Sequence, residues 1–160
     1  MTTLDNSPAR TRTAGQIDAR GPRFGAVITT LVLAATLLTI DSTLSVVLLA
    51  AQTVVFALGS LVGLQAQPYG IFFRTFVRPR LAAHTTFEDQ APPRFAQTVG
   101  LVFAVVGLVG LLSGVTVVAY VAVAGALGAA FLNAAFDFCL GCEMYLLAHR
   151  LRGARSASSV

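Results

Sequence analysis

The sequence predicts an all-α integral membrane protein, a bundle of four transmembrane helices in two helical hairpins with both termini cytoplasmic. Three observations carry this reading. Of 160 residues, 56% are hydrophobic and 11% charged, whereas a soluble domain carries roughly a quarter charged residues. The mean hydropathy is +0.77, and the apolar residues fall into runs long enough to cross a bilayer, which takes about 20 helical residues. The charges lie between those runs. All 11 basic residues are arginine, and the net charge is +4. Because the arginines flank apolar runs and share no soluble face, they read as topology determinants and not as a nucleic-acid surface.

Residues 1–14 are polar and read as a disordered cytoplasmic tail, and residues 15–152 as the membrane domain. No secretory signal precedes the first apolar run. Gly21-Pro22 is a sound helix start, since proline in the first turn forfeits no needed N–H. The first span is placed at about 24–40, and Asp41-Ser42 forms a tight turn able to cap the second, at about 44–64. Gly59 and Gly63, four apart, let a neighbouring helix approach closely.

The longest segment between spans follows. Pro68 to Leu81 interleaves Tyr69, Phe72, Phe73 and Phe76 with Arg74, Arg78 and Arg80. As a helix it puts the aromatics on one side, with Arg74 and Arg78 on another, and Pro79 ends it. This is an amphipathic segment suited to the headgroup plane, or to docking a soluble partner. The third span runs about 95–112, and Ser113-Gly114 allows only a tight turn. The fourth runs about 116–138, but the apolar stretch persists to Leu147, too long for one crossing of a ~30 Å core, so the helix must overrun the membrane or break. Residues 153–160 are a short cytoplasmic tail. Since arginines occupy both tails and the 65–94 segment but neither short turn, the positive-inside rule gives a multi-pass plasma-membrane protein with both ends inside.

The chemistry-bearing residues cluster late. Cys139 and Cys142, the only cysteines, stand at C-x-x-C spacing. Three residues apart on a helix, their Cα atoms lie about 5 Å apart, which permits a dithiol/disulfide couple; small cysteines are also ordinary helix filler. Haem attachment would need His where Glu143 stands. Zinc would need four ligands, and one such pair with distant His84 or His149 is too few, so no metal is assigned. Within one long helix the pair lies near the C-terminal end, where the helix dipole disfavours a thiolate, unless Gly141 breaks the helix. On that helix Asn133 and Asp137 face away from the cysteines and into the bundle, with Gln52, Gln97 and Arg23 as candidate partners.

The order GQIDARGPRFGA, QAQPYGIFFRTFVRPRL and FLNAAFDFCLGCEMYLL resembles a bacterial inner-membrane family, of actinobacterial type, described as a domain of unknown function. The match covers about 15–152. The resemblance implies association with thioredoxin-like proteins and sulfurtransferases, hence thiol or sulfur chemistry at the membrane with such a soluble partner.

Three functions are compatible with these residues. In a membrane thiol–disulfide or sulfur-relay protein, Cys139 and Cys142 would cycle, Glu143 or Asp137 would handle protons, and Arg74, Arg78 or Arg80 would hold thiolate or an anionic sulfur species. No cofactor is evident; a quinone would be the acceptor were electrons to enter the membrane. A homo-oligomeric transporter of a sulfur-containing anion would use Gln52, Gln97, Asn133 and Asp137. A non-catalytic assembly subunit would use only the packing surfaces.

Overall fold

The computed structural model describes residues 15–81 and 87–157, with side chains through Arg152. The expected N-terminal tail, His84 and residues 158–160 lie outside the described residues. Among the described residues, six α-helices carry the fold: α1 (Arg20–Leu38), α2 (Thr43–Ala57), α3 (Pro68–Phe72), α4 (Ala91–Leu112), α5 (Thr116–Phe136) and α6 (Leu140–Ala157). Four helical segments among the described residues are long and apolar enough to cross a membrane: α1, α2 extended by one π-helical turn to Val62, α4 and α5. Their ends differ from the expected spans mainly at the start of α1 and α4, where Pro22 and Pro92-Pro93 sit inside the first helical turn, which needs no N–H from them.

α1 and α4 each pack against both α2 and α5, which closes a four-membered ring of helices. Leu33, Leu49, Phe56, Ala104, Val123 and Ala126 form its core. Lipid tails are as apolar as leucine, so close van der Waals fit, and not exclusion from water, holds such helices together. Small residues supply that fit. A Cβ added at Gly107 would lie 3.2 Å from both Leu49 and Val123, and one at Gly110 would lie 2.8 Å from the Ala119 backbone. The outward surface is apolar, with Leu38 88% and Val117 72% exposed. Only a surrounding hydrocarbon phase makes such exposure favourable. Several hydroxyls on the spans are satisfied locally, as where Thr36 donates to the Val32 carbonyl at 2.9 Å and Thr53 to Leu49 at 2.7 Å, while Ser60 and Thr98 pair between helices at 2.7 Å.

Residues 39–42 and 113–115 make the short turns at one end. Ser42 occupies the cap position of α2 but donates instead to the Thr39 carbonyl at 2.8 Å, so neither Asp41 nor Ser42 caps through its side chain. The glycine pair on α2 also divides. A Cβ at Gly59 would meet Gln97 of α4 at 2.9 Å, whereas one at Gly63 would meet nothing within 4 Å, and Gly63, at φ +127, ends the helix.

The opposite end is more elaborate. Gln16–Asp18 (β1) pairs antiparallel with Phe87–Asp89 (β2), Ile17 opposite Glu88, which the all-helical expectation did not include. Three-residue strands carry too little alternation to be read from sequence. Arg94 donates from Nε to Ser60 O at 2.7 Å and from a terminal nitrogen to Leu61 O at 2.8 Å. It thereby satisfies carbonyls that the end of the α2 segment leaves without partners. The aromatic-arginine segment forms one α turn, a π turn over Phe73–Val77 and a 3-10 turn over Arg78–Arg80. Its aromatics gather against the start of α1 but differ in burial. Phe73 is buried against Gly21, while Phe72 and Phe76 are exposed and Phe72 stacks on Phe24 at 6.0 Å.

Candidate functional site

The decisive local event is the end of α5. Asp137 adopts a left-handed conformation at φ 57, its N–H donates to Asn133 O at 3.2 Å, and the Phe138 N–H reaches back to Leu132 O at 3.3 Å. The bond from Asp137 is that of an αL helix cap, built on aspartate where glycine is more usual. Aspartate tolerates this region better than most residues because its short side chain is polar and unbranched at Cβ. The long apolar stretch therefore breaks at 137–139 and not at Gly141.

A new helix begins at once. The Glu143 N–H donates to Cys139 O at 3.0 Å, the first bond of α6, and the Cys142 N–H points at Cys139 Sγ at 3.3 Å. Cys139 thus stands where an N-capping side chain normally stands, and sulfur accepts a backbone donor of the first turn. A disulfide joins Cys139 to Cys142, with Cα atoms 5.2 Å apart. The expected placement late in a single helix is corrected: the pair opens a helix, where the positive end of the dipole and unpaired N–H groups favour negative charge.

Gly141, between the cysteines, is a packing residue. A Cβ there would fall 2.6 Å from both the Cα and the Cβ of Ala96, so α6 lies directly on the start of α4. Phe95 and Tyr145 extend that contact with ring centroids 5.8 Å apart, and His149 follows Tyr145 at 4.8 Å. The other side of α6 carries Leu140, Met144, Leu147 and Leu151, all exposed, in one stripe at helical spacing.

The disulfide lines a cavity of about 660 Å³ bounded by α1, α4, α5 and α6. Asn133, Asp137, Cys139, Cys142 and Glu143 all border it. The break has therefore brought to one space residues that an unbroken helix would have set on opposite faces. The inner wall is made of small or flat groups, among them Ala26, Gly100, Gly125, Ala129, Phe56 and Phe103. At the rim stand Glu88 and Asp89, carried there by β2, with Asp137, Glu143 and Arg23. Four carboxylates thus face one guanidinium.

Of the partners expected for Asn133 and Asp137, Gln97 and Arg23 border the same cavity, but all three bond to other groups. Gln52 is 1% exposed and accepts from the Tyr69 hydroxyl at 2.9 Å while its amide approaches Thr29 Oγ1 at 3.4 Å. Gln97 accepts from Gln67 at 3.0 Å, and Arg23 donates from Nε to Ala134 O at 3.2 Å. Burial raises the Tyr69 phenol above its ordinary pKa, so it remains a donor to Gln52.

The three arginines proposed to hold an anion are not beside the sulfurs. Arg74 donates to Gln65 O at 2.8 Å and Arg80 to Phe76 O. Arg78 Nε lies 3.7 Å from the carboxylate of Asp18. Arg74 and Arg78 border a separate small cavity of about 50 Å³ with Asp18, Gln67 and Phe73. What sequence reasoning missed was the cavity itself and the contribution of β2 to its rim. The only early sign was the pair Glu88-Asp89, visible as charge but not placeable.

Among proteins of known function and among solved structures, none matches this chain. Residues 17–150 match one family, described as a domain of unknown function (DUF4395), over most of the chain, cavity-lining helices and cysteine pair included; the protein belongs to that family.

Proposed function

We propose that the protein is a membrane thiol–disulfide relay whose working group is the Cys139–Cys142 pair. The observation that carries this reading is the pair's position at the first turn of α6, on the edge of a cavity that reaches from a charged rim into the spans. A thiolate of a soluble dithiol attacks one sulfur of the disulfide, forming a mixed disulfide and releasing the other cysteine as thiolate. Released at Cys139, that thiolate is stabilised by the Cys142 N–H and the dipole of α6. The partner's second thiolate then resolves the mixed disulfide. The partner leaves oxidised, and Cys139 and Cys142 hold two electrons and two protons. Glu143 and Asp137, exposed at the rim, exchange those protons with water.

Arginine placement supports a cytoplasmic location for this end. Arg20, Arg23, Arg74, Arg78, Arg80, Arg94, Arg150 and Arg152 all belong to it, and residues 39–42 and 113–115 contain none. The exposed stripe of α6 and the exposed Phe72 and Phe76 suit helices lying in the headgroup plane. A partner with a basic surface around its dithiol, such as a thioredoxin-like domain, would complement the acidic rim. That same rim weighs against an anion as cargo. A persulfide relay or an anion transporter would meet four carboxylates at the cavity mouth, with Arg74, Arg78 and Arg80 engaged elsewhere.

The test uses the protein in nanodiscs with a reduced thioredoxin-like protein. Wild type should oxidise it stoichiometrically. Single Cys139→Ser and Cys142→Ser variants, offered the oxidised partner, should accumulate the mixed disulfide and fail to turn over. Equal oxidation by the double serine variant would refute the relay.

A further inference from the structure

We infer that the 660 Å³ cavity is the binding site of a lipid-soluble quinone, which takes from Cys139 and Cys142 the two electrons the relay collects. The inference rests on the relay reading and names its second substrate. A relay that ends with a dithiol must be reoxidised, and the cysteines themselves face this cavity. Its volume falls within the range that holds an organic ligand, about 300–1,000 Å³.

The shape of the lining selects the class. At the depth of the spans, Phe56, Phe103, Gly125 and Ala126 provide an apolar wall, of which Phe103 and Gly125 are exposed. A ligand that enters from hydrocarbon and is apolar over most of its length therefore fits. Towards the rim the wall gains hydrogen-bond donors. Arg23 donates from Nε to Ala134 O, its terminal nitrogens have no partner among the described residues and can donate, and the Asn133 amide borders the same space. Two carbonyl oxygens on a flat ring, with an isoprenoid tail running inward past Phe56 and Phe103, match this gradient. A carboxylate or sulfur oxyanion does not, because Glu88, Asp89, Asp137 and Glu143 surround the entrance.

The reaction balances within the site. Cys139–SH and Cys142–SH lose two protons and two electrons, and the S–S bond forms. The quinone's two carbonyl oxygens gain those two hydrogens and become hydroxyls, and the quinol leaves into the bilayer. Arg23 and Asn133 act as positioning residues for the ring carbonyls.

The probe is a 2-methyl-1,4-naphthoquinone with a short prenyl tail, used with the full chain in nanodiscs. Prereduced wild type should convert one equivalent of quinone to quinol, read by its ultraviolet absorbance, as the Cys139–Cys142 disulfide re-forms. The Cys139→Ser/Cys142→Ser protein should bind the quinone saturably without reducing it. Ala129→Phe, which fills the cavity, should weaken that binding by roughly tenfold or more. An azido derivative should label peptides of α5 and α6 in unmodified wild type, which keeps the test decisive should Ala129→Phe fail to fold. Binding that rises without saturation, or label placed elsewhere, reflects partition into lipid and overturns the inference. If prereduced protein ignores the quinone yet its disulfide still oxidises the soluble dithiol, the quinone site fails and the relay stands. If the thiols never cycle while the double serine variant binds quinone saturably, the relay fails and the cavity assignment stands as a binding site alone.

Discussion

Replacing Gly141 by alanine tests how α6 is held, and with it the position of the disulfide. The added methyl would sit 2.6 Å from Ala96 Cα and 2.6 Å from Ala96 Cβ, far inside the 3.5–4.0 Å at which carbon pairs attract. One of those atoms is backbone, so the strain is relieved only by moving α6 off α4. Overpacking of this kind costs about 1–3 kcal/mol, and the helix preference of alanine over glycine returns about 0.5–1 kcal/mol. The net loss of docking is then about 1–2 kcal/mol, equal to a 5–30-fold rise in the open population. Hydrogen-exchange mass spectrometry in nanodiscs reads this directly, as faster exchange of α6 amides with α1 and α2 unchanged. Ala96→Gly in the same background removes one of the two clashes and should restore protection in part. Unchanged or slower exchange in Gly141→Ala would refute the packing of α6 on α4.

Other substitutions probe the supports of the site. Arg94→Ala removes both donors to Ser60 and Leu61 and should destabilise the fold by about 1.5–3 kcal/mol, read as a lower thermal midpoint; Arg94→Lys, lacking the fork, should recover only part. Tyr69→Phe leaves the buried Gln52 oxygen without its donor and should cost about 1–3 kcal/mol. The raised pKa of Tyr69 has a defined pH consequence. Its contribution is complete below the unfolded-state value of about 10 and is lost as pH climbs from there through the higher folded value, so wild type should lose stability above about pH 10 more steeply than Tyr69→Phe. Asp137→Gly should preserve the break between α5 and α6, because glycine occupies φ 57 without strain, whereas Asp137→Val should cost about 1–3 kcal/mol and loosen the disulfide turn, both measurable by exchange of residues 137–143.

The four spans were legible because each is an apolar run of bilayer length bounded by prolines, glycines or charge, signals that need no tertiary information. The C-x-x-C pair was legible as well, since its spacing is local. The environment of the pair was not. An αL aspartate leaves no pattern distinguishable from an ordinary helical one, so Asp137 hid the break while Gly141, the residue more often found at breaks, drew attention to the wrong place. With the break misplaced, the helical phase set Asn133 and Asp137 against the cysteines, though all four border one cavity. Arg74 and Arg78 looked available for an anion because a sequence cannot show that Gln65 and Asp18 engage them across folds of the chain. The cavity arises from small residues on several helices, and alanine and glycine in a membrane span ordinarily signal close packing. Here Gly107 and Gly110 do pack closely, while Ala129 lines the cavity.

The proposed relay requires Cys139 and Cys142 to form a working redox couple. Alkylation mass-shift analysis of the two thiols in native membranes, before and after reduction and again after reductant is removed, tests it most directly. The disulfide should open to two alkylatable thiols and close again in the membrane within the time course. Two thiols fully alkylated under every condition, or a pair that never re-forms its bond after reductant is withdrawn, would contradict it.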